Sequence, residues 1–137
     1  MYDKKYILMS IKPVYAKLIK SGQKTIELRR IVPKVKSGDI LVIYESSPVK
    51  RITAFCEIQA VVSTDPSKLW EIACDTAGLS WEAFMEYYEG KKQAVGIKLG
   101  NVHVLNIPRE LRIFSENIQA PQSYRYLTQE QFQTLTE

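Results

Sequence analysis

The chain is short of the residues that carry most enzyme chemistry: among 137 residues there are one histidine, two cysteines and six glycines, and each glycine stands singly. His103, with Cys56 and Cys74 far apart in sequence, provides no ligand set spaced for zinc, so neither a metal nor another cofactor is expected. A serine-histidine-acid triad is excluded on similar grounds, because no serine lies in a nucleophile-elbow sequence that would reach His103. Solitary glycines at the ends of elements make no phosphate-cradling loop. Long apolar runs are missing as well. The stretch after the charged N-terminus, Tyr6 to Met9, is too short for a signal-peptide core or a membrane span, which points to a soluble cytoplasmic protein with no membrane partner. Cys56 alternates with Ile52, Ala54 and Ile58 as on a buried strand face, so the two thiols read as inert rather than as a disulfide.

What is present is an ordinary globular composition with an uneven charge. Apolar residues make up 45% and charged residues 25%, close to soluble averages, and the length suits one domain with a real core. No repeat, low-complexity tract or linker interrupts it. Residues 1–51 hold twelve Lys or Arg against four Asp or Glu, whereas residues 52–137 hold seven against eleven. A basic half fits a surface that meets phosphates, since neutralising them releases counterions. A merely solvated basic face would show the same count.

Tyr6 to Ile11 reads as a first strand, followed by a helix over 13–21 that Pro13 starts and Gly22 stops. Strand two spans Lys24 to Arg30, and the Ser37-Gly38-Asp39 turn leads into Ile40 to Glu45, an apolar run suited to a buried central strand. The alternation of Ile52, Ala54, Cys56, Ile58, Ala60 and Val62 marks a long strand of the kind that wraps a barrel. Two helices follow, Pro66 to Ala77 and Trp81 to Glu89, the second capped by Ser80. Should their aromatics be exposed, this acidic region becomes a protein-docking patch. Gly100-Asn101, between Gln93 to Leu99 and Val102 to Ile107, predicts a tight hairpin that Pro108 ends. Residues 108–137 read as a C-terminal extension of a single domain, with the polar-aromatic segment Ala120 to Leu127 ahead of a helix capped by Thr128 and Gln131. Strands with a few inserted helices predict an α+β fold, a small barrel with short helices around it.

Function is most legible in Ser21 to Arg30. On a period-two strand Thr25, Glu27 and Arg29 share one face and Ile26 and Leu28 the other, so the polar face either meets solvent or lines a cleft. In solvent, Glu27 and Arg29 form an ordinary salt bridge contributing about 1 kcal/mol at most. The pattern Gly22-x-Lys24-x-x-Glu27-x-Arg29 resembles the signature of the ASCH family, whose domain is a β-barrel related to the PUA RNA-binding fold. Ser10-Ile11-Lys12-Pro13, Gly38-Asp39 and Tyr44-Glu45-Ser46-Ser47-Pro48 agree with it, and the resemblance covers most of residues 6–107.

That resemblance implies a PUA-like barrel with a cleft that receives RNA or a nucleotide-like ligand. Lys24, Glu27 and Arg29 become cleft residues: the two cations donate to phosphate or carbonyl oxygens, and Glu27 accepts from a base edge or holds the cations in place. Lys12 and Ser46 flank them, and Tyr44 is placed to stack on a base. Gln122 and Arg125 reach the ligand if their segment closes over the cleft as a lid or wall; otherwise that segment only covers the barrel.

One branch of the family hydrolyses the amide of an acetylated cytidine with a lysine, a threonine nucleophile and a glutamate. Lys24 matches the lysine, but Glu27 stands in the threonine's place, and Thr25 is displaced from it by about 6 to 7 Å along the strand. Such a shift disrupts attack geometry and moves the reading from turnover towards recognition. A ribonuclease would need Lys24 or Tyr44 as its acid or base in place of histidine.

Overall fold

The computed structural model describes residues 3–137. Its elements run β1 (Tyr6–Ile11), α1 (Pro13–Lys20), β2 (Ile26–Arg29), β3 (Ile40–Glu45), β4 (Arg51–Thr64), α2 (Pro66–Ala73), α3 (Trp81–Tyr87), β5 (Ala94–Arg109), β6 (Tyr124–Leu127) and α4 (Gln129–Thr136). The strands form one curled half-barrel sheet in the order β2-β5-β4-β3-β1-β6, an α+β fold of PUA-like type. β1 runs parallel to β3 and the other pairs are antiparallel. Central β3 is buried along its whole length, as its continuous apolar run requires.

Strand alternation sends apolar side chains into separate cores. Ile7, Met9, Ile11, Leu41 and Ile43 meet Ala16 and Ile19 of α1 on one face, while Leu8, Val42, Tyr44 and Ile52 meet Leu127 and Leu135 from the C-terminal segment on the other. A third cluster joins Ile26 and Leu28 to Leu69 of α2, Phe84 of α3 and Tyr88 just beyond it. Most of the aromatics suspected of forming a docking patch are spent here. Trp70 packs on both Trp81 and Phe84, and Phe84 packs on Tyr88. Residues 108–137 are woven into the same sheet, because β6 pairs with β1 and α4, held by the Thr128–Gln131 capping box, covers its neighbouring face. Of the two free thiols, Cys74 is exposed and Cys56 is buried, with its pKa pushed up to about 12.

The expected Gly100-Asn101 hairpin is not formed. Residues 94–109 make one continuous strand along β4, and the register moves from Cys56↔Val102 to Ile58↔Leu99, so one extra residue of β5 is taken up at Gly100-Asn101 as a bulge. Bulges bend and twist a strand, which is how so long a ribbon curls. Gly100 serves close approach rather than a turn: a Cβ there would lie 3.0 Å from the carbonyl oxygen of Glu57. Pro108, read as a stop, sits in a second and larger irregularity between Ile52↔Arg109 and Ala54↔Val104, where a missing N–H is tolerated. The helices also end earlier than expected, α2 at Ala73 and α3 at Tyr87.

Candidate functional site

The sheet does not close, and its two edges meet at a seam. There a cavity of about 220 Å³ is lined by Ser10, Ile11, Lys12, Tyr15, Lys24, Glu27, Leu28, Arg29, Leu79 and Tyr87. It is smaller than the pockets of roughly 300–1,000 Å³ that enclose whole drug-sized molecules, so it admits one part of a ligand. β1 supplies Ser10, the first turn of α1 supplies Tyr15, and β2 supplies Glu27 and Arg29. α1 ends at Lys20, and Gly22, two residues on with a left-handed φ of 85°, turns the chain back towards β2 and leaves Lys24 pointing inward.

Lys24, Glu27 and Arg29 form a buried charged row, with side chains only 3%, 9% and 13% exposed. The Arg29 guanidinium lies 2.8 Å from Glu27, donates to the Ser10 carbonyl at 3.0 Å and reaches the Ser123 hydroxyl at 3.2 Å. One side chain thus joins edge strand β2 to β1 and to the residue ahead of β6. Its Nε is buried with no hydrogen-bond partner among the described residues, which leaves a cationic donor to gain from any acceptor that reaches it. Lys24 Nζ donates to the Ala77 carbonyl at 2.5 Å, stands 3.7 Å from Glu27 and lies 5.6 Å from the centre of the Tyr15 ring. At 3.7 Å its tie to Glu27 is coulombic rather than a hydrogen bond. The loop carrying Ala77 comes this close because Gly78 takes a φ of +78° and has no side chain to strike Leu18 and Lys24.

Two cations share one buried carboxylate, and Lys12 adds an exposed third at the rim. The cavity therefore carries surplus positive charge between the Tyr15 and Tyr87 rings, a setting for an anionic or electron-rich group. Burial lowers the pKa of Lys24 from its ordinary 10.5, with nearby Glu27 opposing the shift. A lysine with a lowered folded pKa binds fewer protons than in the unfolded chain, so stability rises with pH in the window just below 10.5. Lys24→Met is expected to abolish that alkaline rise. Urea unfolding of both proteins between pH 7 and 10.5 measures it, and parallel pH profiles would refute the burial argument.

Of the residues singled out from sequence, Lys12, Lys24, Glu27 and Arg29 come together here, and the polar face of β2 lines a cleft. Tyr44, Ser46, Gln122 and Arg125 do not line it. Tyr44 is 5% exposed and belongs to the core with Leu8 and Val42: as the register partner of Ser10 it shares their face of the sheet, where its ring is packed and not available for stacking. Ser46 donates from its backbone to Ile11 O, and Arg125 is exposed opposite Leu8. Gln122 is exposed, but its neighbours hold the wall: Ser10 Oγ donates to Pro121 O at 2.6 Å and Ser10 N–H to Ser123 O. Segment 121–127 is thus tied to Ser10 and Arg29 beside the cavity, and none of its residues lines it. Thr25, the displaced threonine, lies outside the cavity. Tyr15, Leu79, Tyr87 and Ser123 were not singled out. Tyr15 shows only helical spacing, and Tyr87 follows the aromatic pattern of core neighbour Tyr88, so neither gave a distinct signal.

A curled sheet with short helices around it and a buried Lys-Glu-Arg row at its seam defines a small α+β domain of PUA-like type. The profile of the ASCH domain matches residues 9–117, and the chain belongs to the ASCH domain family. It is 33% identical over 136 residues to an ASCH domain-containing ribonuclease of Zymomonas mobilis, covering 97% of this chain and 91% of that one. The crystal structure of ASCH from Zymomonas mobilis superposes with a TM-score of 0.91 at 33% identity, covering 98% and 95% of the two chains. A Pseudomonas putida protein, 18% identical with a TM-score of 0.63 over 96% of this chain and 97% of that one, shares the fold. No helix among the described residues is long and apolar enough to cross a membrane.

Proposed function

We propose that the protein binds single-stranded RNA, seating one nucleotide in the seam cavity. The observation that carries this reading is the buried Lys24–Glu27–Arg29 row with its surplus positive charge between tyrosine rings. Lys24 and Arg29 suit phosphate or base carbonyl oxygens, Glu27 accepts from a base amine, and Tyr15 and Tyr87 offer faces for a base. The ribonuclease name of the Zymomonas relative supports RNA as the ligand class, and free thiols accord with a cytoplasmic location.

Anisotropy of a fluorescein-labelled single-stranded RNA tests it. Engagement of Lys12, Lys24 and Arg29 predicts affinity at least about 20-fold weaker at 200 mM than at 50 mM salt, from a slope of about −0.7 per phosphate contact. Lys24→Met, which leaves Glu27 paired with Arg29, should weaken binding about tenfold. Affinity indifferent to both salt and this substitution would sink the reading.

Cleavage is the second reading, and the lowered pKa of Lys24 favours it, because a lysine closer to neutrality serves better as a proton acceptor. Attack of a 2′-hydroxyl on its adjacent phosphate would leave a 2′,3′-cyclic phosphate and a free 5′-hydroxyl. Incubating RNA and its DNA counterpart with the protein in EDTA distinguishes the readings: cleavage confined to RNA and lost in Lys24→Met supports turnover, and two intact strands support binding alone. The geometry gives an amidohydrolase no threonine in the cavity.

A further inference from the structure

The seam cavity is one end of a longer basic surface. Beyond Arg29 the chain is pinned at two points, by Arg29 to the hydroxyl of Ser123 just ahead of β6 at 3.2 Å and by the Lys34 N–H to the hydroxyl of Tyr126 in β6 at 3.1 Å. The second pin lies at a recess of about 340 Å³ lined by Lys4, Lys5, Tyr6, Lys34, Tyr126, Leu127 and Gln129. Lys5 Nζ donates to the Lys34 carbonyl at 3.1 Å and stands 6.0 Å from the centre of the Tyr126 ring, which is 42% exposed. The buried Asp39 carboxylate fixes the backbone beneath, accepting from Lys5 N–H at 2.9 Å and Lys36 N–H at 2.8 Å. Residues 30–33 connect Arg29 to Lys34, with the apolar side chains of Ile31 and Val32 68% and 47% exposed, while Arg30 lines a separate recess with Glu86, Tyr87 and Glu89. Asp3 and Glu130 are the acidic residues next to the recess in sequence.

We propose that this recess is a second RNA subsite, and that Lys34, Lys4 and Tyr126 form the end of a track along which the strand leaves the seam cavity. The inference rests on the RNA-binding reading and names where the rest of the strand lies. Cations alternating with apolar and aromatic surface are what a single strand needs, since phosphates take the charge and bases the rings. Ser10 at the cavity and Tyr6 at the recess are four residues apart on β1, about 13 Å at the rise of a strand. A longer oligonucleotide spans that distance, and a dinucleotide with one base seated in the cavity, having a single internucleotide step, does not.

Lys4→Gln with Lys34→Gln tests the track, because both side chains are exposed and the substitutions keep the Tyr126 pin and the Lys5 contacts. The probes are a fluorescein-labelled ten-nucleotide single-stranded RNA and a labelled dinucleotide. The variant should bind the decamer about tenfold more weakly at 50 mM salt, with the slope of log affinity against log salt reduced by about 1.4. It should bind the dinucleotide as wild type does. Amide NMR signals of Lys34 and Tyr126 should shift with the decamer and stay in place with the dinucleotide. If wild type binds both RNAs and the variant keeps the decamer affinity and slope, the track is wrong and the cavity reading stands. Equal weakening for both probes also overturns it, since the substitutions would then act through the cavity. If wild type binds neither RNA, the cavity reading fails and the track with it.

Discussion

Glu27→Ala is expected to destabilise the protein by about 3–5 kcal/mol at neutral pH, the cost of removing one partner from a buried ion pair. The carboxylate lies 2.8 Å from Arg29 and 3.7 Å from Lys24, and none of the three side chains is more than 13% exposed. Without it two cations face each other with little access to water. Lysine can escape by losing its proton and arginine cannot, so the deficit should shrink as pH rises and Lys24 is neutralised. Glu27→Gln keeps a carbonyl acceptor for Arg29 and should cost less. Urea unfolding at pH 7 and pH 9.5 measures all of this. A loss below about 1 kcal/mol for the alanine variant would return Glu27 and Arg29 to the status of a surface salt bridge.

Arg29→Ala should unstitch the seam. The side chain carries the Glu27 ion pair, the bond to the Ser10 carbonyl and the contact with Ser123, so its loss removes ties between β2, β1 and the start of β6 at once. A loss of about 3–5 kcal/mol follows from breaking the buried pair, which leaves Glu27 only the Lys24 ammonium at 3.7 Å. Because Glu27 and Arg29 belong to one network, the double variant should fall short of the summed single losses by about 1–3 kcal/mol. Hydrogen exchange should quicken in β6, Tyr124–Leu127, more than in central β3. Arg29→Lys keeps the charge but not the planar fork that holds several partners, and should fail to restore protection there. Additive losses, or β6 protection unchanged in Arg29→Ala, would mean that the edges are held together by other contacts.

Local patterns made much of this legible. Pro13 and Gly22 bracket α1, Thr128 and Gln131 cap α4, and the alternation along β4 marked a strand longer than most, because each of these depends on neighbours within a few residues. Gly100-Asn101 failed as a hairpin for the opposite reason. A Gly-Asn pair reads the same in a turn and in a bulge, and only the β4 ladder running past it on one side decides between them. Tyr44 misled similarly: its place at the end of β3 was correct, but the face on which it points is set by register with β1 and by what packs beyond, and that face is core.

The decapeptide Ser21 to Arg30 marks the division most clearly. By itself the sequence determined that a glycine-stopped helix would hand over to a strand with Glu27 and Arg29 on one face, since backbone preference and period-two geometry are local properties. It also carried the signature of the ASCH domain family. Tertiary structure alone decided that the polar face lines a cavity rather than meeting water. Lys24 is buried because the loop at Ala77 and Gly78 closes over it, and Arg29 is held across the seam by Ser10 and by Ser123, nearly one hundred positions away. Whether a charge is exposed depends on which distant segments exclude solvent from it, and no spacing within ten residues contains that information.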